Sequence, residues 1–310
     1  MTRRLNVGLV GVGRWGRNIL RVLSELPDFI DNIVVCDINP VNLEYASRSS
    51  RVKSKYTSID EMLSKEDLDA VFVAVTPQHL ASVSLKVLMS NINVFIEKPV
   101  ACSYRDAEKL YMEAKKRSLI AVPGFIMRFS PTVNLIKELI GKLGRPYTID
   151  FMRLSRRPPT LRKTNVLLDL GIHDIDLMFY LLNCSSVKVS CVHRFVCKDG
   201  ESYNISLLCD DSSVFIRVDE LSPMKIREVC VIGDKYCIRG NFVNENLTYV
   251  IDGERFEKNV VGGEPLKLEV IEFLKAIIGE ESSSPTLDDA LKALKVIDEI
   301  FSKSLTLHRE

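Results

Sequence analysis

The sequence predicts a two-domain α/β chain. A doubly wound parallel sheet spans residues 1–122, and an α+β domain with a large, mostly antiparallel open sheet spans 123–310. Three observations lead there. The 310 residues exceed the ~100–200 typical of a single domain. As far as Phe125, short apolar runs alternate with segments of helical periodicity. From Val187 to Val261, strand-like segments follow one another with turn signals between them.

The first half justifies its sheet element by element. "LNVGLV" (Leu5 to Val10) is an apolar strand, and Trp15, Ile19, Val22, Leu23 and Leu26 then recur at helical spacing. "NIVVCD" is the next strand, "NPVNLEYASR" a helix opened by Asn39 and Pro40, and "SIDEMLS" a short helix with Ser58 and Glu61 at capping-box spacing. "AVFVAVTP", "NVFIEKP" and "IAVPGF" complete the strands, with "HLASVSLKVLM" and "SYRDAEKLYMEAKKR" as helices among them. Wholly apolar strands separated by helices imply parallel pairing with both faces covered, because each parallel step needs a crossover.

In the second half, "PTVNLIKELIGKLG" reads as a helix, "YTIDFMRLS" as a strand and "NVLLDLGIHDIDLMFYLLN" as a helix. The strand-like segments from "VKVSCVHRF" to "RFEKNV" form one largely antiparallel sheet, with Gly233-Asp234 and Asp252-Gly253 marking turns. One face suits the helix just named, and the other, partly apolar in "VFIRV", suits a second subunit. "EPLKLEVIEFLKAIIGE" and "TLDDALKALKVIDEIFSKSL" close the chain as amphipathic helices.

Composition narrows the function. Forty-two Lys and Arg against 41 Asp and Glu give no field that would gather nucleic acid or an anionic membrane. Eight cysteines without a C-x-x-C pair read as reduced thiols in a cytoplasm rather than as a disulfide scaffold. Neither a signal peptide nor an apolar stretch near the ~18 residues of a membrane helix is expected. The histidines outside the central helix, His79, His193 and His308, do not cluster with cysteines, so no metal site is expected.

Ligands of a doubly wound sheet bind beyond the carboxyl ends of its strands. The first strand ends in Gly11-Val12-Gly13-Arg14-Trp15-Gly16, a G-x-G-x-x-G between strand and helix. Glycines there let a pyrophosphate approach the amides of the helix N-terminus. Asp37 ends the second strand, where a carboxylate accepts from both hydroxyls of an adenine ribose. It would repel a 2′-phosphate, which favours NAD over NADP, although Arg48 or Arg51 could swing in. The alternative is a tight turn beside a solvated aspartate. Two further strand ends carry Thr76-Pro77 and Glu97-Lys98-Pro99. A lysine at the cofactor's edge can hydrogen-bond a substrate oxygen or take its proton, and a solvated strand end is the other reading. On the central helix, Asp169 and His173 stand at i and i+4 on one face, with Asp176 at i+7. Such a pair can serve as an oriented base, or as an ordinary surface pair.

The G-x-G-x-x-G, the acid after the second strand, Glu97-Lys98-Pro99 and the D-x-x-x-H of Asp169 to His173 together resemble the glucose–fructose oxidoreductase/inositol dehydrogenase/MocA (Gfo/Idh/MocA) family over essentially the whole chain. The resemblance implies an NAD-binding Rossmann domain, a homodimer or homotetramer through the C-terminal sheet, and oxidation of a sugar hydroxyl. Lys98, Asp169 and His173 would be catalytic, with a cis Lys98-Pro99 bond. The cofactor would be held by Gly11, Gly13, Arg14, Trp15, Gly16, Asp37, Thr76, Pro77, His79, Glu97 and Lys98. "FIMRFSP", "SRRPP" and "LLDLGIHDIDL" look closest to the branch that oxidises the 3-hydroxyl of UDP-N-acetylglucosamine. Met127 and Ser130 stand where that branch carries glutamate and asparagine. Arg128, Arg156 and Arg157, together with Lys98, Asp169 and His173, are then the substrate contacts. The cationic stretch Arg153, Arg156, Arg157, Arg162 and Lys163 could grip a diphosphate, or be a solvated charge run. An inositol or free-sugar dehydrogenase and a non-catalytic dinucleotide-binding regulator are the rival readings.

Overall fold

Where the sequence alternates apolar runs and amphipathic segments, the backbone forms a six-stranded sheet, all of it parallel. The computed structural model describes residues 3–159, 162 and 164–308. The strands are β1 (Leu5–Val10), β2 (Ile30–Cys36), β3 (Val52–Tyr56), β4 (Ala70–Val73), β5 (Asn93–Glu97) and β6 (Ala121–Gly124), in spatial order β3-β2-β1-β4-β5-β6. Helices α1 (Arg14–Ser24), α2 (Pro40–Ala46), α3 (Ile59–Lys65), α4 (Pro77–Met89) and α5 (Tyr104–Arg117) make the crossovers. The order reverses between β1 and β4, which opens a crevice for a ligand at their carboxyl ends. Val7, Leu9, Phe72, Val94 and Phe95 are wholly buried, as strands covered on both faces require. Strand β3, "VKSKY", is the one strand of this sheet that the apolar pattern misses. It lies at the sheet edge and alternates half-buried with exposed residues, and lysines are common on such edges.

The second sheet has nine strands. Helix α6 (Pro131–Leu143) leads to β7 (Thr148–Leu154), and α7 (Ile172–Leu182) precedes β8 (Val187–Cys197), β9 (Gly200–Cys209) and β10 (Ser212–Asp219). Then come β11 (Ile226–Gly233), β12 (Tyr236–Asn241), β13 (Asn246–Ile251) and β14 (Glu254–Asn259). After helices α8 (Pro265–Ile278) and α9 (Leu287–Lys303), β15 (Leu305–His308) adds the last strand, in the order β14-β13-β12-β11-β7-β10-β9-β8-β15. The β7/β10 and β8/β15 pairs are parallel and the rest antiparallel.

The chain divides into two compact units, Met1–Phe125 with Leu266–Leu291, and Ile126–Pro265 with Lys292–Glu310. Helix α8, assigned by sequence position to the second domain, belongs with the first sheet. Its Phe273 is fully buried and its ring centroid lies 5.3 Å from that of Phe72 and 5.8 Å from that of Phe95. Amphipathic periodicity reveals that a helix has an apolar face, but not which sheet that face covers. Six of the eight cysteines are free thiols, but the reduced-thiol reading needs correction at Cys184 and Cys209, which pair as a disulfide with a Cα–Cα distance of 5.6 Å. The pair joins the exit of α7 to the end of β9, a proximity made by topology that spacing along the chain does not announce. No described helix is long and apolar enough to cross a membrane.

Helix α7 is fixed to its sheet by charge as well as by apolar packing. Arg153 of β7 is 2% exposed and bonds both oxygens of Asp174 at 2.9 and 2.6 Å. Removing one partner of a buried pair strands the other charge. Asp174→Ala should therefore cost about 3–5 kcal/mol in urea denaturation, and Arg153→Met with Asp174→Leu should recover most of it. A loss for Asp174→Ala below ~1 kcal/mol, the range of surface pairs, would show that the pair does not anchor the helix.

Candidate active site

In the first unit the site is built on a turn that only glycine permits. Gly11 has φ +92°, and a Cβ there would stand 2.5 Å from the Ala74 carbonyl oxygen. A Cβ on Gly16 would overlap the Gly11 carbonyl, whereas one on Gly13 would meet nothing within 4 Å. Gly13 caps α1 without a side-chain hydrogen bond, and no acid lies in the helix's first turn. An open cradle at a helix N-terminus fits a pyrophosphate. Beside it lies a cavity of about 540 Å³, whose walls include Gly11, Gly13, Asp37, Thr76 and His79. Four of its other wall residues, Asn39, Asn42, Thr57 and Val83, escape the sequence reading. Only Asn39 and Asn42 leave a signal there, a pair of amides three residues apart just after Asp37. Asp37 is 8% exposed. Its Oδ2 accepts from the Val12 N–H at 2.7 Å and the Asn42 amide at 3.0 Å, and its Oδ1 accepts from the Asn39 N–H at 2.8 Å. Pro77 and His79 belong to the first turn of α4, with Thr76 as its cap.

The Glu97-Lys98-Pro99 corner follows β5, and its Lys98-Pro99 bond is cis. Glu97 is buried. It accepts the indole N–H of Trp15 and the backbone N–H of Lys98, and Gly124 leaves room for its carboxylate, because a Cβ there would lie 3.1 Å from Oε2. Burial pushes its carboxyl up to about 7, against the lowering pull of Trp15 and Lys98. Lys98 itself is half-buried, while Arg14 and Trp15 lie on the exposed side of α1.

In the second unit Asp169 lies in a widened π-turn, Leu167–Gly171, that runs into α7. Such turns recur at functional sites. A Cβ on Gly171 would lie 3.2 Å from Val218, so the turn packs closely on β10. His173 is buried at the start of α7. The expected substrate arginines stand differently from the sequence reading. Arg128 makes a bidentate bond to Asp176, with distances from 2.6 to 3.1 Å, so both are committed to each other. Arg157 is 4% exposed, faces Asp169 and Glu220 at 3.5 Å, and donates to the Thr164 carbonyl at 2.7 Å. Arg153 is the internal partner of Asp174. The strand alternation of β7 turns it inward, which a count of cations cannot reveal. Arg156 is exposed, Arg162 donates to the Arg157 carbonyl, and Lys163 lies outside the described residues. Among its described residues the stretch is thus two internally paired arginines, one bonded to a carbonyl and one exposed.

Residues 5–125 match the family model described as an oxidoreductase family with an NAD-binding Rossmann fold, Gfo/Idh/MocA. Residues 5–125 are therefore similar to the Gfo/Idh/MocA oxidoreductases. Inositol 2-dehydrogenase of Salmonella typhimurium is 26% identical over 184 residues, which are 58% of this chain and 55% of that protein. The chain thus matches little more than half the length of this curated relative. Over nearly its whole length the chain shares its fold with two solved structures. UDP-N-acetylglucosamine 3-dehydrogenase GnnA of Acidithiobacillus ferrooxidans aligns with TM-score 0.86 and 18% identity over 97% of this chain and 98% of that one. KijD10, a 3-ketoreductase of Actinomadura kijaniata solved with NADP and TDP-benzene, aligns with TM-score 0.89 and 15% identity over 99% and 100%.

The first unit is consistent with the NAD-binding description of that family model, since the glycine cradle and the fixed Asp37 carboxylate have the chemistry a dinucleotide needs. Among the described residues no three His, Cys, Asp or Glu side chains are grouped to hold a metal. Glu97 makes the unit's stability depend on pH. Its folded value of about 7 lies above the reference 4.5. Between those two values the folded chain keeps a proton that the unfolded chain has lost, so stability falls as pH rises through that window, by roughly 3 kcal/mol. The first unit's thermal transition, followed between pH 4.5 and 7, should show this decline, and Glu97→Gln should flatten it. A wild-type slope in the Glu97→Gln protein would assign the effect elsewhere.

Proposed function

We propose that the chain is an NAD-dependent dehydrogenase that oxidises a secondary hydroxyl of a sugar to a ketone, with C3 of a UDP-linked sugar such as UDP-N-acetylglucosamine as its target. One observation carries this reading. A single chain combines the Glu97-Lys98-Pro99 corner, beyond β5 of an NAD-binding Rossmann sheet, with Asp169 and His173 at the entry to a helix. When bound, NAD supplies the hydride acceptor. The chain's own groups must then manage the proton. We assign its uptake from the sugar hydroxyl to the imidazole of His173, with Asp169 orienting the ring. The Lys98 ammonium, which has three donors and no acceptor, would hydrogen-bond the same oxygen and stabilise its developing negative charge. Asp37 supports NAD over NADP.

The UDP-sugar assignment is supported by the "MRF" and "SRRPP" loops and by the name of the structural relative GnnA, with Arg156 as the exposed cation for a diphosphate. A second reading, an inositol or free sugar as substrate, is favoured by the burial of Arg153 and Arg157, which withdraws two cations from any diphosphate. We assign the protein to the cytoplasm and infer a homodimer or homotetramer through the outer face of the nine-stranded sheet. Leu208 and Phe215 support this interface, because they remain 40% and 41% exposed there.

Reduction of NAD, followed in the near ultraviolet with UDP-sugars, inositols and free hexoses, tests the reading. Turnover is expected with UDP-N-acetylglucosamine. Lys98→Ala and His173→Ala should each lower kcat by about 10²–10⁴-fold. Turnover of inositols alone would select the second reading, and two fully active variants would overturn the site assignment.

A further inference from the structure

Asp37 does not stand alone at the cavity wall, and the residue that holds it is itself held. The Asn42 amide donates to Asp37 Oδ2 at 3.0 Å, while its carbonyl oxygen accepts from the Arg17 guanidinium at 3.2 Å. An asparagine amide can be turned either way, and its partners decide which. Arg17 offers only donors, so Asn42 must present its oxygen to Arg17, and its NH₂ is left for the carboxylate. Arg17 is fixed in turn. It lies over the Tyr45 ring at 4.1 Å from the centroid and donates to the Val12 carbonyl at 3.4 Å. The Val12 N–H bonds the same Asp37 oxygen, so the relay closes on the glycine-rich turn.

Three of the arginines near this wall have partners of their own. Arg17 is engaged by Asn42, Val12 and Tyr45, and Arg48 lies 5.8 Å from the Tyr45 centroid. Arg51 donates to the Ile30 carbonyl at 2.6 Å, at the start of β2 and away from the strand's carboxyl end where Asp37 stands. We propose that Asn42, oriented by Arg17, is a positioning residue for cofactor selectivity, fixing the Asp37 carboxylate so that the site accepts a ribose 2′-hydroxyl and rejects a 2′-phosphate. The inference deepens the NAD reading and rests on it.

Calorimetric titration of the whole protein with NAD and with NADP tests it, and needs no knowledge of the sugar substrate. Asn42→Leu keeps the size of the side chain and removes the relay. Arg17→Met keeps much of the stem and frees the amide to turn. Both should lower the ratio of NAD to NADP affinity, Asn42→Leu by about tenfold and Arg17→Met by less. Loss of NAD affinity should account for the change. A ratio unchanged in both variants, whether the two affinities hold or fall together, would reduce the relay to scaffolding and overturn the proposal. Wild-type protein that binds neither dinucleotide would overturn the cofactor reading itself, and the proposal with it.

Discussion

The first unit depends on one close approach of backbone to backbone, where the turn after β1 passes the end of β4. Gly11 touches the Ala74 carbonyl and Gly16 touches Gly11, both within distances that exclude a Cβ. Three things follow from that contact. It starts α1 close enough to the sheet for an anion to reach the helix amides. It aims the Val12 N–H at Asp37, and it delivers the Trp15 indole to Glu97 at the end of β5. The glycine-rich turn, the Asp37 carboxylate and the Glu97 corner are thus joined by hydrogen bonds that start from one turn.

The second unit solves a different problem, holding an acid and an imidazole still on a largely buried helix. Its solution is to spend other charges on anchoring. Asp174 binds Arg153 and Asp176 binds Arg128, while Arg157 faces Asp169 at 3.5 Å. Each such pair neutralises a charge that would be costly to leave buried alone. An arginine near a site can therefore be scaffold rather than substrate contact.

That distinction marks where sequence reasoning ends. The parallel sheet was legible because apolar runs of strand length alternate with helical periodicity, and the nine-stranded sheet because turns punctuate period-two segments. Gly11, Gly13 and Asp37 were legible as cavity wall because their spacing follows from backbone geometry. Asn42 left only an amide close to Asp37 as its sign, since the partner that orients it, Arg17, lies on another helix. The π-turn at Asp169 leaves no periodic signature distinct from a helix. Strand β3 was hidden by its lysines, and the allegiance of α8 by the absence of any sequence mark for the sheet a helix covers. The inward aim of Arg153 depends on β7 and that of Arg157 on Glu220 and Asp169, which a list of cations does not contain.

In the proposed reaction a carbinol hydrogen leaves as hydride while side chains of this protein take the proton. Incubating the protein with NAD and UDP-N-acetylglucosamine deuterated at C3, then examining the nicotinamide ring by NMR, is the decisive test. Deuterium at C4 of the reduced ring, on one face only, is the predicted result. Complete turnover of the sugar with no deuterium in the nicotinamide would contradict hydride transfer from that carbon.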